Sequence, residues 1–271
     1  MLANSSDPPI EPLLAPLLEH PERAALLCDV DGTLAPIERL PEQARVPERA
    51  RELLSELGRR YALVVCVSGR RATDARSVVG VSSIAYVGNH GLEYLPPGAR
   101  IAETPPLLRD WAERVRAFAH DALDEQLRAL DVRLEDKQSI WSFHWRELPD
   151  EGAVREAMQR VASAATGQGL RAHWGRKVLE IRPPLDFDKG TAVEAVLAHT
   201  HVAAALYVGD DRTDLDVFRK LRELKDRGAL EHALCVGVRS AEGPEEIAGE
   251  ADLVLEGPGD VVVLLAALRP R

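Results

Sequence analysis

The stretch Ala24-Ala-Leu-Leu-Cys-Asp-Val-Asp-Gly-Thr-Leu34 decides the fold of this 271-residue chain. Its first five residues are apolar, which is typical of a strand buried on both faces of a parallel sheet. Asp29 and Asp31 follow, and Gly32 lets the chain turn. Open α/β sheets bind ligands at the carboxyl ends of their strands, so these carboxylates are candidates for metal binding or catalysis. Taken alone, an Asp-x-Asp-Gly segment is explained equally well as a turn or a calcium loop.

Two further apolar runs end in polar residues in the same way. Residues 62–67 run into Ser68-Gly-Arg70, and residues 84–87 run into Gly88-Asn-His-Gly91. Helical patterns separate the runs, so we predict right-handed β-α-β units in a parallel sheet. Ser68 and Lys189, each considered alone, are also explained as an ordinary turn residue and a surface residue.

The pattern changes between Pro105-Pro106 and Pro183-Pro184. Amphipathic helices are predicted over 107–130 and 151–166, and two short strands follow each of them. We therefore predict that residues 105–184 form an inserted α+β domain, with an antiparallel sheet and two helices.

The parallel pattern then resumes. Lys189 lies at a predicted helix start, and the apolar run 204–208 ends in Gly209-Asp-Asp-Arg-Thr-Asp214. The predicted fold class is therefore α/β, with a Rossmann-like parallel-sheet core formed by residues 1–104 and 185–271.

Composition limits the partners of the chain. With 34 basic and 44 acidic residues the formal net charge is −10, which argues against nucleic acid as a partner. The first ten residues have no signal-peptide pattern, and the sequence has no apolar run of membrane-spanning length. We expect a cytoplasmic monomer that acts on a small molecule and binds no membrane.

The motifs contain the groups that phosphoryl transfer needs, namely a nucleophile and positive charge around the moving group. Asp29 is the candidate nucleophile, and Asp31 is the candidate general acid and base. Ser68 can offer a hydroxyl and backbone N–H groups to a phosphate oxygen, and Lys189 can offer a positive charge.

A Mg²⁺ site is predicted from the aspartates. Asp210 would complete it together with Asp29 and the backbone carbonyl of Asp31, while Asp211 and Asp214 would hold its waters or orient the lysine. Several like charges packed together without a cation are unfavourable, which supports a metal at this position.

The order Asp-x-Asp, Ser, Lys, late aspartates resembles the four motifs of the haloacid dehalogenase (HAD) superfamily of phosphatases. The inserted domain is similar to the cap of trehalose-6-phosphate phosphatases. The segments that carry this second resemblance are Gly88-Asn-His-Gly91, Glu135-x-Lys137, His144-x-Arg146, Gly175-Arg-Lys-Val-Leu-Glu-Ile-Arg-Pro183 and Gly209-Asp-Asp-Arg-Thr-Asp214.

That resemblance implies roles for residues of the insert, which would act as a cap over the active site. Glu135, Lys137 and Glu180 would bind the sugar rings. Arg146 and Arg70 would assist near the sugar or the phosphate.

Asn89 and His90 are further candidates for substrate binding, although both are also explained as residues that shape a strand-end loop.

The resemblance implies a Mg²⁺-dependent phosphatase that hydrolyses trehalose 6-phosphate through an aspartyl-phosphate. The same chemistry on another sugar phosphate, such as sucrose 6-phosphate or a mannosyl phosphoglycerate, is the nearest alternative. A phosphomutase and a catalytically silent sugar-phosphate sensor are two more.

Overall fold

A computed structural model describes residues 10–38, 40–145, 151–175, 177–185, 187–240 and 243–269. The strands in these ranges are β1 (Ala24–Asp29), β2 (Leu63–Val67), β3 (Ala85–Gly88), β4 (Glu93–Leu95), β5 (Arg133–Asp136), β6 (Trp141–His144), β7 (Arg171–Gly175), β8 (Val178–Arg182), β9 (Ala204–Gly209), β10 (His232–Val238) and β11 (Leu253–Leu255). The α-helices are α1 (Ile10–Glu19), α2 (Glu48–Leu57), α3 (Ala72–Val79), α4 (Leu107–Ala122), α5 (Glu125–Ala129), α6 (Glu151–Gly167), α7 (Lys189–Ala198), α8 (Asp214–Asp226), α9 (Glu246–Glu250) and α10 (Pro258–Ala267).

The chain divides into two compact units. The first comprises residues 1–103 and 187–271, and the second comprises residues 104–186. The first unit contains a seven-stranded sheet in the order β11-β10-β9-β1-β2-β3-β4, and the second contains a four-stranded sheet in the order β5-β6-β8-β7. The predicted class, a parallel-sheet α/β core with a separate antiparallel sheet, is confirmed.

The parallel strands of the first sheet are mostly apolar because both faces of the sheet are covered. All six residues of β1 are buried. Leu26 and Cys28 belong to a core shared with α1, α2, α3 and α10, whereas Ala25 and Leu27 belong to a core shared with α7 and α8. Successive side chains on a strand point to opposite faces, so the continuous apolar run supplies both cores at once.

The first sheet has an edge that the sequence analysis did not predict. Strand β4 pairs antiparallel with β3, whereas the neighbouring pairs from β11 to β3 are parallel. With three residues, β4 is too short to give a clear alternating pattern.

The second unit differs from its prediction in one helix. The amphipathic pattern over 107–130 forms two helices, α4 and α5, because Asp124 caps a new helix start and its side chain accepts a hydrogen bond of 2.8 Å from the Leu127 N–H. The unit therefore carries three helices, rather than two, among its described residues. Its core includes Trp141, Phe143 and Leu179.

In the described part of the chain, the helices all fall short of the length and apolar character that a bilayer-spanning segment requires. The cellular location stays a prediction.

Candidate active site

Strand register brings the predicted motifs of the first unit to one edge of its sheet. Asp29 ends β1 and pairs with Val67, the last residue of β2, so Ser68 follows directly beside it. On the other side of β1, Cys28 pairs with Val208, which places Asp210 just beyond the adjacent strand end. The carboxyl ends of three neighbouring parallel strands thus supply Asp29, Ser68 and Asp210.

Lys189 reaches this edge from the start of α7. The helix begins there because Asp188 caps it: the Asp188 side chain accepts from the Thr191 N–H at 2.6 Å, and the Thr191 hydroxyl accepts from the Asp188 N–H at 3.0 Å. The ammonium of Lys189 donates to Asp29 Oδ1 at 2.6 Å and to Asp214 Oδ1 at 2.7 Å. With 2% of its surface exposed, Lys189 is a buried cation between two carboxylates.

Three aspartates form a buried acidic cluster around this lysine. One carboxylate oxygen from each of Asp29, Asp210 and Asp214 lies within 4.8 Å of the others. Burial raises the pKa of Asp29 well above its ordinary value, and the Asp214 and Asp210 carboxylates add to the rise while Lys189 opposes it. Burial and the Asp214 carboxylate raise the pKa of Asp210 to about 7.

The charge of Lys189 is favoured by the same arrangement. Burial disfavours its protonated form, but the Asp214 and Asp29 carboxylates outweigh burial and raise the pKa of Lys189 well above its ordinary value. One ammonium among three carboxylates leaves an excess of negative charge that a cation would neutralise.

The carboxylate of Asp214 is fully engaged by protein donors. Its Oδ1 accepts from Lys189 and from the Tyr207 hydroxyl at 2.6 Å, and its Oδ2 accepts from the backbone N–H groups of Asp210 at 2.8 Å and Asp211 at 2.9 Å. Four hydrogen bonds use the lone-pair sites of a carboxylate, so Asp214 is suited to orient its neighbours rather than to bind a metal directly.

Asp211 lies outside the acidic cluster. Its Oδ1 accepts from the Thr213 N–H at 2.7 Å and from the Thr213 hydroxyl at 2.6 Å. This carboxylate therefore shapes the loop that leads into α8.

Asp29 and Asp210 fit the ligand preference of Mg²⁺, which takes few carboxylates together with waters and phosphate. Lys189 engages Oδ1 of Asp29, and the Thr33 hydroxyl donates to Oδ1 of Asp210 at 3.0 Å. Each of these carboxylates thus has one oxygen in a hydrogen bond within the protein. The raised pKa values of the cluster are the behaviour expected of a group of carboxylates assembled to hold a cation.

Asp31 is held by Arg70. The guanidinium donates twice to the carboxylate, from Nε to Oδ2 at 2.7 Å and from Nη2 to Oδ1 at 2.6 Å. Two parallel hydrogen bonds fix both the position and the plane of the Asp31 carboxylate. Arg70 was predicted to approach the substrate, and the structure places it beside the predicted proton donor.

Ser68 is buried at the end of β2, with 1% of its surface exposed. Its N–H donates to the Val87 carbonyl, and its hydroxyl accepts from the Arg70 N–H at 3.1 Å. A hydroxyl and backbone N–H groups were predicted to meet phosphate here; the sheet uses the N–H of Ser68, so its hydroxyl is the group that Ser68 itself can donate to a ligand.

Asn89 and His90 support the loop that carries Ser68 and Arg70. Asn89 is fully buried and donates from Nδ2 to Oε1 of Glu93 at 2.6 Å. The His90 ring lies against Gly69, where an added Cβ would come within 2.7 Å of the ring. The backbone N–H groups of Asn89 and His90 donate to the carbonyls of Arg70 and Ser68, so both residues support this loop, and their contact with substrate stays a prediction.

The predicted sugar-binding residues of the second unit share one face of its sheet. Glu135 lies opposite Ser142, and Ser142 lies opposite Glu180, so the three form a row across β5, β6 and β8. Lys137 donates from Nζ to Glu180 Oε1 at 2.8 Å. Arg182 donates to Oε2 of Glu180, from Nε at 3.0 Å and also from Nη2.

His144 extends the same polar face. Its Nε2 lies 2.7 Å from Oε2 of Glu135. Burial alone would raise the pKa of Glu135, but the His144 hydrogen bond and the Lys137 charge outweigh it and lower that pKa below its ordinary value. The face thus presents carboxyl and basic side chains that hold one another in place. Arg146, predicted to assist there, lies outside the described residues.

Sequence reasoning missed several residues that hold the predicted ones. These are Thr33, Tyr207, Glu93, Ser142 and Arg182. The signal for Tyr207 was a hydroxyl in an otherwise aliphatic strand just before Gly209-Asp-Asp. The signal for Arg182 was its spacing of two from Glu180, which puts both on one face of a strand.

Comparisons with known proteins agree on one family. Residues 27–255 match the family model of trehalose-phosphatase. The chain is 29% identical to a probable trehalose-phosphate phosphatase of Oryza sativa (91% of this chain, 70% of the relative) and 30% identical to a trehalose 6-phosphate phosphatase of Zea mays (95% and 72%). A trehalose-phosphate phosphatase of Mycolicibacterium paratuberculosis is 34% identical (75% and 52%), so the chain spans about half to seven tenths of the length of these relatives.

Solved structures share the fold. The C-terminal domain of a trehalose-6-phosphate phosphatase of Candida albicans superposes with a TM-score of 0.75 at 20% identity, covering 97% of this chain and 98% of that one. The C-terminal domain of a trehalose synthase regulatory protein of Candida albicans has a TM-score of 0.64 at 15% identity, covering 90% and 93%. Both likenesses concern the fold, and a shared fold does not by itself decide the chemistry.

Proposed function

The chain belongs to the trehalose-phosphatase family, and on that premise we propose that it hydrolyses trehalose 6-phosphate to trehalose and phosphate, with Mg²⁺ and through an aspartyl-phosphate on Asp29. The observation that carries the proposal is the Lys189 ammonium, 2.6 Å from the strand-end carboxylate of Asp29 within a buried acidic cluster. A buried nucleophile, a fixed positive charge and a cation site side by side are what phosphoryl transfer requires.

In the first step, the Asp29 carboxylate oxygen attacks phosphorus. The bond between phosphorus and the oxygen on sugar carbon six breaks, and its electron pair stays on that oxygen. Asp31 gives this oxygen a proton, so trehalose leaves as the neutral alcohol. Lys189 holds Asp29 in place and balances charge on the phosphoryl oxygens as they pass the ammonium.

In the second step, Asp31 takes a proton from water, and the water oxygen attacks the phosphorus of the aspartyl-phosphate. The bond between phosphorus and Asp29 breaks, which restores the carboxylate and releases inorganic phosphate. Arg70 donates to both oxygens of Asp31, so one of these hydrogen bonds has to break before that oxygen can carry the proton in either transfer.

The residues that would hold Mg²⁺ are Asp29, Asp210 and the backbone carbonyl of Asp31, with Asp214 orienting Asp210 and Lys189. When bound there, the cation would withdraw negative charge from the phosphoryl oxygens.

The second unit would supply substrate specificity. A disaccharide presents pairs of hydroxyls, and Glu135, Glu180 and Lys137 are polar side chains fixed by neighbours on one sheet face. A site built to hydrogen-bond hydroxyls rejects substrates that lack them, because its polar groups are then left unpaired. In this proposal the unit acts as the cap that delivers these residues to the sugar.

The test is phosphate release from a panel of substrates at fixed Mg²⁺, namely trehalose 6-phosphate, sucrose 6-phosphate, a mannosyl phosphoglycerate and an aryl phosphate. We expect trehalose 6-phosphate to have the highest kcat/KM, and a chelator to abolish release from all four. Preference for another sugar phosphate would show that trehalose 6-phosphate is not the substrate. Full activity in the presence of the chelator would show that the reaction needs no metal. Transfer of the phosphoryl group to a second sugar would indicate a mutase. Failure of the wild-type protein to release phosphate from any of them would favour a sensor.

A further inference from the structure

Tyr207 lies inside the central strand β9, where a strand of an α/β sheet ordinarily carries an aliphatic side chain. It is fully buried, and its ring meets the Phe218 ring edge-on with centroids 6.1 Å apart. Its hydroxyl donates to Asp214 Oδ1 at 2.6 Å. Packing alone would be served equally well by phenylalanine, so the hydroxyl needs a separate explanation.

The explanation lies in the oxygen that Tyr207 contacts. Asp214 Oδ1 is also the oxygen that accepts from Lys189 Nζ, and the same ammonium donates to Asp29. A continuous chain of hydrogen bonds therefore runs from Tyr207 in the sheet through Asp214 and Lys189 to the proposed nucleophile. Burial and the Asp214 charge raise the pKa of Tyr207 well above its ordinary value, so its hydroxyl keeps the proton that it donates.

We propose that Tyr207 is a positioning residue for the reaction: by donating to Asp214, it sets the place of the Lys189 ammonium between Asp214 and Asp29. The inference rests on the proposed function, since the ammonium matters for turnover only where Asp29 acts as the nucleophile. In this role Tyr207 acts through Asp214 and Lys189 and does not contact the substrate.

Loss of the hydroxyl changes the balance at one oxygen. Asp214 Oδ1 shares its negative charge between two donors, and without Tyr207 it has Lys189 alone. The stronger remaining attraction draws the ammonium toward Asp214 and away from Asp29. A displacement of a catalytic group by about 1 Å can cost about 100-fold in rate, so we expect Tyr207→Phe to lower kcat by about 10-fold to 100-fold.

Tyr86 provides a matched control. It is also a fully buried tyrosine of the same sheet, on β3, and its hydroxyl donates to the backbone carbonyl of Val81. Tyr86→Phe removes the same atom from the same kind of environment, at a position unconnected with Lys189. The two variants should lose similar stability.

The experiment measures kcat and KM for trehalose 6-phosphate and for an aryl phosphate, together with Tm, for the wild type, Tyr207→Phe and Tyr86→Phe. We expect Tyr207→Phe to lose kcat to the same degree on both substrates with little change in KM, because the defect lies at the phosphoryl centre. Tyr86→Phe should keep the wild-type kcat. Equal kcat in both variants, or a loss confined to trehalose 6-phosphate, would overturn the proposal.

A crystal structure of Tyr207→Phe gives a measurement that does not depend on turnover. A shift of the Lys189 ammonium away from Asp29 supports the positioning role, and an unchanged contact overturns it. The two proposals fail separately. If the wild-type protein cleaves the aryl phosphate but not trehalose 6-phosphate, the proposed substrate is wrong, and the kinetic test of Tyr207 can still be made with the aryl phosphate. If it cleaves neither, the proposed function is wrong, and the crystal structure of Tyr207→Phe still shows whether Tyr207 sets the position of Lys189.

Discussion

At the scale of single residues, Lys189 and Asp29 depend on each other. The ammonium is stable in its buried position because two carboxylates accept from it, and the same ammonium partly offsets the rise that burial causes in the pKa of Asp29. A group that loses one partner inside a protein keeps the cost of burial without its compensation. The choice of substitution therefore matters for any test of Asp29.

We predict that Asp29→Asn abolishes phosphate release and leaves the fold intact. An amide is isosteric with the carboxylate but cannot form an acyl phosphate, and Asp214 still accepts from Lys189. Phosphate release and a thermal melt check both parts, with Asp226→Asn, at the end of α8, as the control that should retain full activity. Turnover that survives Asp29→Asn would remove Asp29 as the nucleophile.

A second prediction at the scale of single residues concerns Glu180 and the selectivity for trehalose 6-phosphate over an aryl phosphate. The residue is 5% exposed, and its carboxylate accepts from Lys137, Arg182 and Ser142. Glu180→Gln keeps the shape but removes the charge that orients the two cations, so we expect kcat/KM for trehalose 6-phosphate to fall by about 100-fold, in line with the loss of one or two charged hydrogen bonds. For an aryl phosphate, which has no sugar, kcat/KM should fall by less than about threefold.

The matched control is Glu156→Gln, on the exposed surface of α6 in the same unit, where the side chain is 78% exposed. It should leave both substrates unaffected. Equal losses on trehalose 6-phosphate and on the aryl phosphate in Glu180→Gln would exclude Glu180 from the sugar site.

At the scale of elements, the junction between β9 and α8 determines the geometry of the acidic cluster. Gly209 ends the strand, and a Cβ at this position would overlap the Asp214 carboxylate. The helix start can return this close to the strand end because Gly209 has no side chain, and the approach lets Asp214 reach the backbone N–H groups of Asp210 and Asp211.

Gly209→Ala should therefore displace Asp214, reduce kcat by at least 10-fold and destabilise the protein by about 1–3 kcal/mol, the usual cost of overpacking. Thermal melts and phosphate release are the measurements. Gly167→Ala, at the end of α6 with open space around an added Cβ, is the control and should be neutral or slightly stabilising. If both alanines behave alike, close packing at Gly209 does not shape the site.

The elements that the sequence predicted well are those with one dominant pattern. The strands β1, β2 and β9 are largely apolar because both faces of the sheet are covered, and a continuous apolar run with polar residues at its end is easily recognised. The break between α4 and α5 was missed because Asp124 lies within an amphipathic pattern that continues across it. The amphipathic pattern favours one continuous helix there, whereas the side chain of Asp124 favours a new helix start, and the structure has the new start.

At the scale of the whole molecule, the sequence allowed us to predict the charged residues that meet at the candidate site, but not the residues that hold them in place. Asp29, Asp210 and Lys189 lie at strand ends or at a helix start, where polar residues stand out in the sequence. Tyr207 lies inside an apolar strand, where periodicity assigns it to the core, and the pattern cannot tell that its hydroxyl faces Asp214. That information comes from the pairing of distant segments, which a single sequence does not display.

The acidic cluster also links folding to pH. Asp210 has a pKa of about 7 in the metal-free protein, against an ordinary value near 3.8, so between these values the folded state binds a proton that the unfolded chain has released. The free energy of unfolding of the metal-free protein should consequently fall as pH rises through this window. Protonation and cation binding compete for the same carboxylates, because Mg²⁺ requires them ionised.

We therefore predict that the rise in Tm caused by Mg²⁺ is larger at pH 8 than at pH 5.5. Below the pKa of Asp210, each pH unit weakens the apparent affinity about tenfold per displaced proton, which is about 1.4 kcal/mol of ligand stabilisation. Thermal melts with and without Mg²⁺ at the two pH values measure the difference. Asp210→Asn should show little Mg²⁺-induced rise at either pH. If the Mg²⁺-induced rise in the Tm of the wild type is equal at both pH values, or larger at pH 5.5, the cation does not bind to these carboxylates. Binding to them should be stronger at pH 8, because more of them are ionised there.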